Sequence, residues 1–365
     1  MAELNPFFAE TPAQEKFRVG YLRKLTAQNR EPDMAGLMDL PEDQPIALRQ
    51  IFVPLRFAKE SMEGWKPDKI DAYRDDEGKE KTISLSELLL KHPQVVVLGG
   101  PGSGKTTLTR WLSFALSDPK LSGLSLDLGR RIVVPFILRH YIDAIDAARG
   151  DEPEALLEAY CEDFNKTDKK LFPALEVTTE DVLFYLKQGW GCLVFDGIDE
   201  LGSVERRKKV RSWLLDYYLP LSPKNYLLCT SRPAGYSDCP FDEMLPEERE
   251  AEHRKRSTEL AKNDPNETLA PEVAEGRIAS LQHLRRHYVA PFNKEQVEEF
   301  SRKWHEVRQR DGNLEAAKAD SNRFVGALKK HSGLLELQRR PVFITLMAHV
   351  HLTRQELPHS RVILF

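Results

Sequence analysis

The chain has 365 residues, of which 41% are hydrophobic and 30% charged, a balance typical of a folded protein with room for two domains. Its formal net charge is −4, from 53 Lys and Arg against 57 Asp and Glu, which disfavours a nucleic acid or an anionic membrane as its partner. The four cysteines show no C-x-x-C spacing, no apolar run reaches membrane-spanning length, and the polar, acidic N-terminus is unlike a signal peptide, so we expect a cytoplasmic protein.

Residues 1–90 are expected to form a helical prelude with one strand. Apolar residues at helical spacing predict a helix around Phe17–Leu25, and the β-rich run Ile51–Leu55 predicts the strand. The charged stretch 64–81 is predicted to be an exposed loop, and a short helix is expected at Leu85–Leu90.

From residue 91 to residue 290 the pattern alternates between apolar strands and helices, which predicts a parallel sheet with helices on its faces. We expect strands at Val95–Leu98, Ile132–Leu138, Cys192–Phe195, Tyr226–Cys229 and, with a weaker pattern, His283–Val289. Helices are expected near Thr106–Leu116, Pro153–Phe164, Glu180–Gln188 and Val204–Tyr218. The fold class predicted is therefore α/β.

Two later segments differ from this alternating pattern. Residues 237–276 are rich in Glu, Lys, Asp, Asn and Pro and are predicted to be a solvated insert. Residues 291–365 are predicted to form a small helical subdomain, with helices at Lys294–Gln309, Leu314–His331 and Pro341–Gln355. The chain thus divides into a prelude, a nucleotide-binding domain at 91–290 and a helical subdomain.

The stretch GGPGSGKTT lies between a predicted strand and a predicted helix. It comprises Gly99, Gly100, Pro101, Gly102, Ser103, Gly104, Lys105, Thr106 and Thr107. Its glycines allow backbone N–H groups to surround phosphate oxygens at a helix N-terminus. Lys105 is expected to reach the β- and γ-phosphates, and the Thr106 hydroxyl to bind Mg²⁺. The complete G-x-x-x-x-G-K-T spacing predicts a nucleoside triphosphate site.

Polar residues follow two of the predicted strands at the edge where ligands bind in open α/β sheets. Asp196 is suited to hold Mg²⁺ through its water shell, and Asp199 or Glu200 is placed to orient an attacking water. Arg232 follows the next strand and is placed to contact a γ-phosphate. The alternatives are an acidic turn of purely structural purpose and an arginine of the surface.

Together, GGPGSGKTT, LVFDGIDEL and CTSRPAGY resemble motifs of the NACHT family of signal-transducing STAND NTPases. IFVPL resembles the family's pre-domain strand, and PFNKEQVEEFSRKW and RRPVFITLMAHVH resemble its small helical subdomain. This resemblance implies a parallel-sheet P-loop fold that binds ATP or ADP with Mg²⁺. It also implies Asp199 as the base, Arg232 as the γ-phosphate sensor and Pro341 as the residue that packs on the nucleotide base.

The resemblance extends to function. It implies a slow ATPase that acts as a switch, self-associates on activation and works with an unidentified protein trigger or effector, in bacterial innate or antiphage defence. Family members usually continue into winged-helix and sensor regions, and we expect the present residues to end before both.

Two other function classes stay open. A nucleic-acid-dependent ATPase requires a basic groove or an aromatic stacking surface, and the composition suggests neither. A small-molecule phosphotransferase requires a lid and an acceptor pocket, for which residues 237–276 are the candidate segment. The residues themselves do not decide between adenine and guanine.

Overall fold

The computed structural model describes residues 10–30, 46–62, 73–74, 81–117, 131–149, 152–246, 248, 281, 283–309, 312–330, 334, 336–354 and 357. Within these ranges the backbone forms a seven-stranded sheet. In chain order its strands are β1 (Arg56–Ala58), β2 (Thr82–Ser84), β3 (Gln94–Leu98), β4 (Ile132–Ile137), β5 (Gly191–Asp196), β6 (Tyr226–Ser231) and β7 (Arg285–Val289). Across the sheet the order is β2-β1-β7-β3-β6-β5-β4.

The sheet is mostly parallel. Strands β7, β3, β6, β5 and β4 run in one direction, while β1 pairs antiparallel with both β2 and β7. Every residue of β3 and β5 is buried, because helices cover both faces of these central strands. The predicted α/β fold with a parallel sheet flanked by helices is confirmed.

The helices of the described ranges lie around this sheet and after it. They are α1 (Pro12–Gln28), α2 (Leu48–Ile51), α3 (Leu85–Lys91), α4 (Lys105–Ser117), α5 (Ile142–Ala147), α6 (Glu154–Lys166), α7 (Thr179–Lys187), α8 (Val204–Trp213), α9 (Leu219–Leu221), α10 (Pro233–Tyr236), α11 (Lys294–Arg308), α12 (Leu314–Lys330) and α13 (Pro341–Arg354). Short 3₁₀ turns form at Leu138–Tyr141 and Ile198–Leu201, and a π-helical segment forms at Leu214–Tyr218. None of the helices that the structure describes is long and apolar enough to cross a membrane.

Capping residues explain where several of these helices begin. Thr11 and Gln14 form a capping box at the start of α1, in which each side chain bonds the backbone N–H of the other residue. Asn293 and Gln296 do the same at the start of α11. The start of α11, the first helix after the sheet, is therefore set by its own capping residues.

The strand predicted at Ile51–Leu55 is wrong. Ile51 ends α2, and the strand β1 begins only at Arg56. Pro54 has no N–H to donate to a sheet, and Phe52 instead stacks on Trp111 of α4 with ring centroids 4.4 Å apart. The run is apolar because it is buried between elements, and a buried apolar run has the same appearance in sequence as a short strand.

The structure differs from the sequence prediction in two further places, and one predicted segment lies largely outside the described residues. Strand β2 was not predicted, because three residues are too few to show an alternating pattern. The helix predicted at Val204–Tyr218 changes from α to π geometry after Trp213. Of the predicted insert, residue 247 and residues 249–276 lie outside the described residues.

The prelude helix α1 is fixed to the outer part of the sheet. The Tyr21 hydroxyl donates a hydrogen bond of 2.5 Å to the Val133 carbonyl of β4 and shares another of 2.6 Å with the Tyr160 hydroxyl of α6. Tyr21 is fully buried and stacks on Phe164, with ring centroids 4.9 Å apart. These contacts join α1 to the strand whose far end borders the functional site.

Candidate functional site

A cleft of about 310 Å³ lies at the carboxyl ends of the parallel strands. Four basic and three acidic side chains face it, namely Lys105, Arg110, Arg139, Arg232, Asp196, Asp199 and Glu200. The remaining lining residues are Pro101, Gly102, Ser103, Gly104, Thr106, Thr107, Gly197, Thr230 and Val342. A cleft of this size with converging charges at a strand edge is the usual form of a ligand site in an α/β sheet.

The loop after β3 needs glycine at two positions. Gly102 has a φ of +71° and Gly104 a φ of +92°, in the left-handed region that side chains disfavour. The loop is held against the sheet by the Gly99 N–H, which donates to the Ser231 carbonyl at 3.1 Å. The backbone is therefore fixed in a turn that brings it around the cleft.

Helix α4 starts at the floor of this cleft. Its first helical hydrogen bond runs from the Leu108 N–H to the Gly104 carbonyl at 2.8 Å. The N–H groups of Lys105, Thr106 and Thr107 precede this bond and have no partner four residues earlier in the helix. Together with the positive end of the helix dipole, they form a site suited to phosphate oxygens.

The Lys105 ammonium lies within the loop. Its Nζ donates to the Gly99 carbonyl at 2.6 Å and to the Gly100 carbonyl at 3.3 Å. Burial lowers the pKa of Lys105, while the nearby carboxylates of Asp199 and Asp196 act to raise it. A bound phosphate could therefore replace the Gly99 and Gly100 carbonyls as the partner of the Lys105 ammonium.

The residues around Asp196 fit a hydrated Mg²⁺. Asp196 is only 2% exposed, and its Oδ1 accepts hydrogen bonds from Thr230 Oγ1 at 2.5 Å and from Thr109 Oγ1 at 3.3 Å. The Thr106 hydroxyl also bonds this carboxylate, and burial raises the pKa of Asp196 against these hydrogen bonds. Hydroxyl and carboxylate oxygens are donors that Mg²⁺ prefers.

The described residues contain no group of three or more His, Cys, Asp or Glu side chains arranged to hold a metal ion. A Mg²⁺ ion bound mainly by phosphate and water takes only one or two protein ligands.

Asp199 is fully engaged with the residues that end β6. Its Oδ1 accepts from the Arg232 backbone N–H at 2.9 Å and from the Ser231 hydroxyl at 3.3 Å. Its Oδ2 lies 3.2 Å from Arg232 Nε. The Asp199 side chain is 12% exposed and that of Arg232 is 51% exposed, so a fixed carboxylate holds an arginine that faces solvent and cleft.

Glu200 is engaged on the other side. Arg139, which follows β4, donates from Nη1 to Glu200 Oε2 at 2.9 Å. The Glu200 carboxylate packs closely on Gly197, the residue after Asp196. A Cβ atom on Gly197 would lie 3.1 Å from Glu200 Oε2. Its charge acts to raise the pKa of Asp196, as a like charge nearby does.

Residues 93–263 match the family model of the NACHT domain. This segment is a NACHT domain. It includes β3 with the phosphate loop, the turn from Asp196 to Glu200, and Arg232. A NACHT domain implies a nucleotide-binding P-loop NTPase, and a comparison of the chain with curated proteins found no match.

The helical part contacts the phosphate loop of the NACHT domain directly. Arg340 Nη1 donates to the Pro101 carbonyl and the Val342 N–H to the Gly102 carbonyl, both at 3.3 Å. Pro341 packs on Gly104, where a Cβ atom would lie 3.3 Å from Pro341 Cγ. Val342 lines the cleft beside them, and the role of Pro341 toward a nucleotide base stays a prediction.

Several residues of the site were missed in the sequence. Thr109 and Thr230 bond Asp196, while Arg110, Arg139 and Val342 line the cleft. Arg139 follows a predicted strand, so the reasoning that selected Arg232 also applies to it. Thr109 is three residues after Thr106 on α4, a spacing that places both on one face of the helix.

Proposed function

We propose that this chain is an ATP-binding and ATP-hydrolysing switch of the STAND type, in which ADP favours a closed form and ATP a self-associating one. The proposal is supported by one observation: the phosphate loop contacts both the cleft and the helical part that follows the sheet. Its residues Pro101–Thr107 line the cleft, while the carbonyls of Pro101 and Gly102 accept hydrogen bonds from Arg340 and Val342 at the start of α13. A change at the phosphates therefore acts on the contact with the helical part.

Such a switch needs a ligand with different affinities for two states. The γ-phosphate distinguishes ATP from ADP, and Arg232 is placed to recognise it. The guanidinium of Arg232 is held by Asp199 and lines the cleft that contains Lys105. A phosphate that draws Arg232 from Asp199 exchanges one charge-assisted contact for another and moves the residues that end β6.

The geometry favours Glu200 over Asp199 as the residue that orients an attacking water. Both oxygens of Asp199 accept contacts from Ser231 and Arg232, which suits a positioning role. Glu200 lines the cleft next to the end of β5, a position that suits a general base.

Thr106 and Asp196 would hold Mg²⁺, which supplies charge neutralisation at the phosphate oxygens when bound. The wider role that we propose rests on the resemblance to NACHT signalling proteins. It comprises innate or antiphage defence in the bacterial cytoplasm, with an unidentified protein trigger or effector.

Sedimentation velocity tests the switch directly. We expect the parent chain to form a faster-sedimenting species with Mg²⁺ and a non-hydrolysable ATP analogue, and to stay slow with Mg²⁺ and ADP. Lys105→Ala should stay slow with both nucleotides, because it removes the ammonium group that we propose contacts the phosphates. Lys166→Ala is the matched control, since that lysine is 74% exposed on α6 and pairs with Glu162 of the same helix. Identical sedimentation of the parent under both conditions would contradict the proposal.

A further inference from the structure

Arg139 reaches the cleft from the edge of the sheet. Strand β4 lies beside β5 in parallel register, with Ile137 opposite Asp196. Arg139 stands two residues beyond Ile137, in the 3₁₀ turn that follows β4. Its guanidinium therefore meets Glu200, four residues beyond Asp196, at the carboxyl edge where the phosphate loop also lies.

The two carboxylates after β5 hold arginines from opposite sides. Strand β5 lies between β6 and β4 in the sheet. Asp199 holds Arg232 from the β6 side, and Glu200 holds Arg139 from the β4 side. Both arginines line the same cleft, and consecutive residues of one short turn supply their partners.

The Arg139 contact has the properties of an exchangeable pair. The side chains of Arg139 and Glu200 are 36% and 30% exposed, and the contact joins one guanidinium nitrogen to one carboxylate oxygen. A surface pair of this kind contributes little to stability, and the guanidinium fork has further donors for a second acceptor. Arg206 differs, because it binds both oxygens of Asp146, at 2.7 and 2.6 Å.

We propose that Arg139 is a second arginine that recognises the terminal phosphate of a bound triphosphate, and that it exchanges its ion pair with Glu200 for the phosphate oxygens. The exchange releases the Glu200 carboxylate only when a γ-phosphate is present. Arg139 thereby links recognition of the triphosphate to the availability of the residue that orients water. This inference rests on the proposed function of the cleft.

The competing role for Arg139 is positioning of Glu200 alone. The two roles differ in binding, so the test measures affinities for a non-hydrolysable ATP analogue and for ADP in the parent, Arg139→Ala, Glu200→Gln and the double variant. We expect Arg139→Ala to weaken binding of the triphosphate analogue about tenfold, the loss typical of one charge-assisted hydrogen bond, and to leave ADP binding unchanged. The same loss should persist in the Glu200→Gln background. A parent-like ratio of the two affinities in Arg139→Ala would overturn the inference.

Controls separate this inference from the proposed function. Arg206→Ala should keep the parent affinities, because Arg206 pairs with Asp146. If Lys105→Ala binds nucleotide as well as the parent, the proposed function fails. If Lys105→Ala loses binding and Arg139→Ala keeps the parent ratio, only the role of Arg139 fails. ADP binding reports correct folding of the Arg139, Glu200 and Arg206 variants, and the unfolding transition reports it for Lys105→Ala. If Arg139→Ala does not fold, Arg139→Gln takes its place.

Discussion

Gly235 lies in α10, three residues after Arg232, and allows this short helix to approach Asp199 closely. A Cβ atom on Gly235 would lie 2.5 Å from Asp199 Cβ and 3.2 Å from Asp199 Cα. Carbon atoms in contact normally stay about 3.5–4.0 Å apart, so Gly235→Ala has to displace Asp199 by about 1 Å. The hydrogen bonds of Asp199 to Ser231 and Arg232 are at 2.9–3.3 Å and do not tolerate such a shift.

The magnitude follows from two opposing terms. Overpacking costs about 1–3 kcal/mol, while replacing a helical glycine by alanine gains about 0.5–1 kcal/mol. We therefore expect Gly235→Ala to lower the free energy of unfolding by up to about 2 kcal/mol. Gly326→Ala is the matched control, because Gly326 lies within α12 and its Cβ atom would meet nothing within 4 Å. That variant should gain about 0.5–1 kcal/mol.

Urea unfolding of the parent and both variants measures these differences, and titration with ADP and a non-hydrolysable ATP analogue measures the effect on the cleft. We expect Gly235→Ala to be the least stable of the three and to discriminate less between the two nucleotides, since Asp199 no longer holds Arg232 in place. Equal stability of Gly235→Ala and Gly326→Ala, with parent-like discrimination in both, would refute the close contact with Asp199.

Three other variants test separate parts of the site and the sheet. Glu200→Gln should slow phosphate release by about a hundredfold and Asp199→Asn by less, in a single-turnover assay; an unchanged rate for Glu200→Gln would exclude it as the base. Arg232→Ala should reduce the preference for ATP over ADP about tenfold in calorimetric titrations, and an unchanged ratio would remove it as a sensor. Burial, with a smaller effect from His92, lowers the pKa of His287 to about 4. As the pH falls below about 6.5, the imidazole therefore becomes protonated in the unfolded state while it stays neutral in the folded state. Stability should therefore fall by at most about 3 kcal/mol between pH of about 6.5 and 4, and His287→Phe should remove this loss; an identical pH slope in that variant would contradict it.

The central part of the fold could be predicted from the sequence because β3, β4, β5 and β6 each contain a largely apolar run. Strand β3 leads into a complete phosphate-loop pattern, and β5 and β6 each end in polar residues. These patterns are local, so Asp196 and Arg232 could be placed at the same edge without a structure. The family match at residues 93–263 covers the same patterns.

What could not be predicted depends on which strands are neighbours and in what register. Glu200 meets Arg139 because β4 lies beside β5, and no local pattern states this pairing. Thr230 bonds Asp196 for the same reason, through the neighbouring strand β6. At Ile51–Leu55 the error had the opposite sign, because a strand was predicted where none forms. This run is apolar because it is buried, although it pairs with no strand.

The assignment of residue roles in the cleft was also limited by local reasoning. In sequence, Asp199 and Glu200 are adjacent carboxylates and either is suited to act on water. Their different partners separate them, because Asp199 is bound to the end of β6 while Glu200 pairs with Arg139 beside the cleft. Such a difference arises only after the chain has folded.

We propose that Lys105 and the start of α4 hold the phosphates of a nucleotide in the cleft. Calorimetric titration of the parent and of Lys105→Ala with Mg²⁺ and a non-hydrolysable ATP analogue tests it most directly. We predict that the parent binds one nucleotide per chain, and that Lys105→Ala binds at least about a hundredfold more weakly with an unchanged unfolding transition. Binding of equal strength by the parent and Lys105→Ala would contradict this role of the cleft.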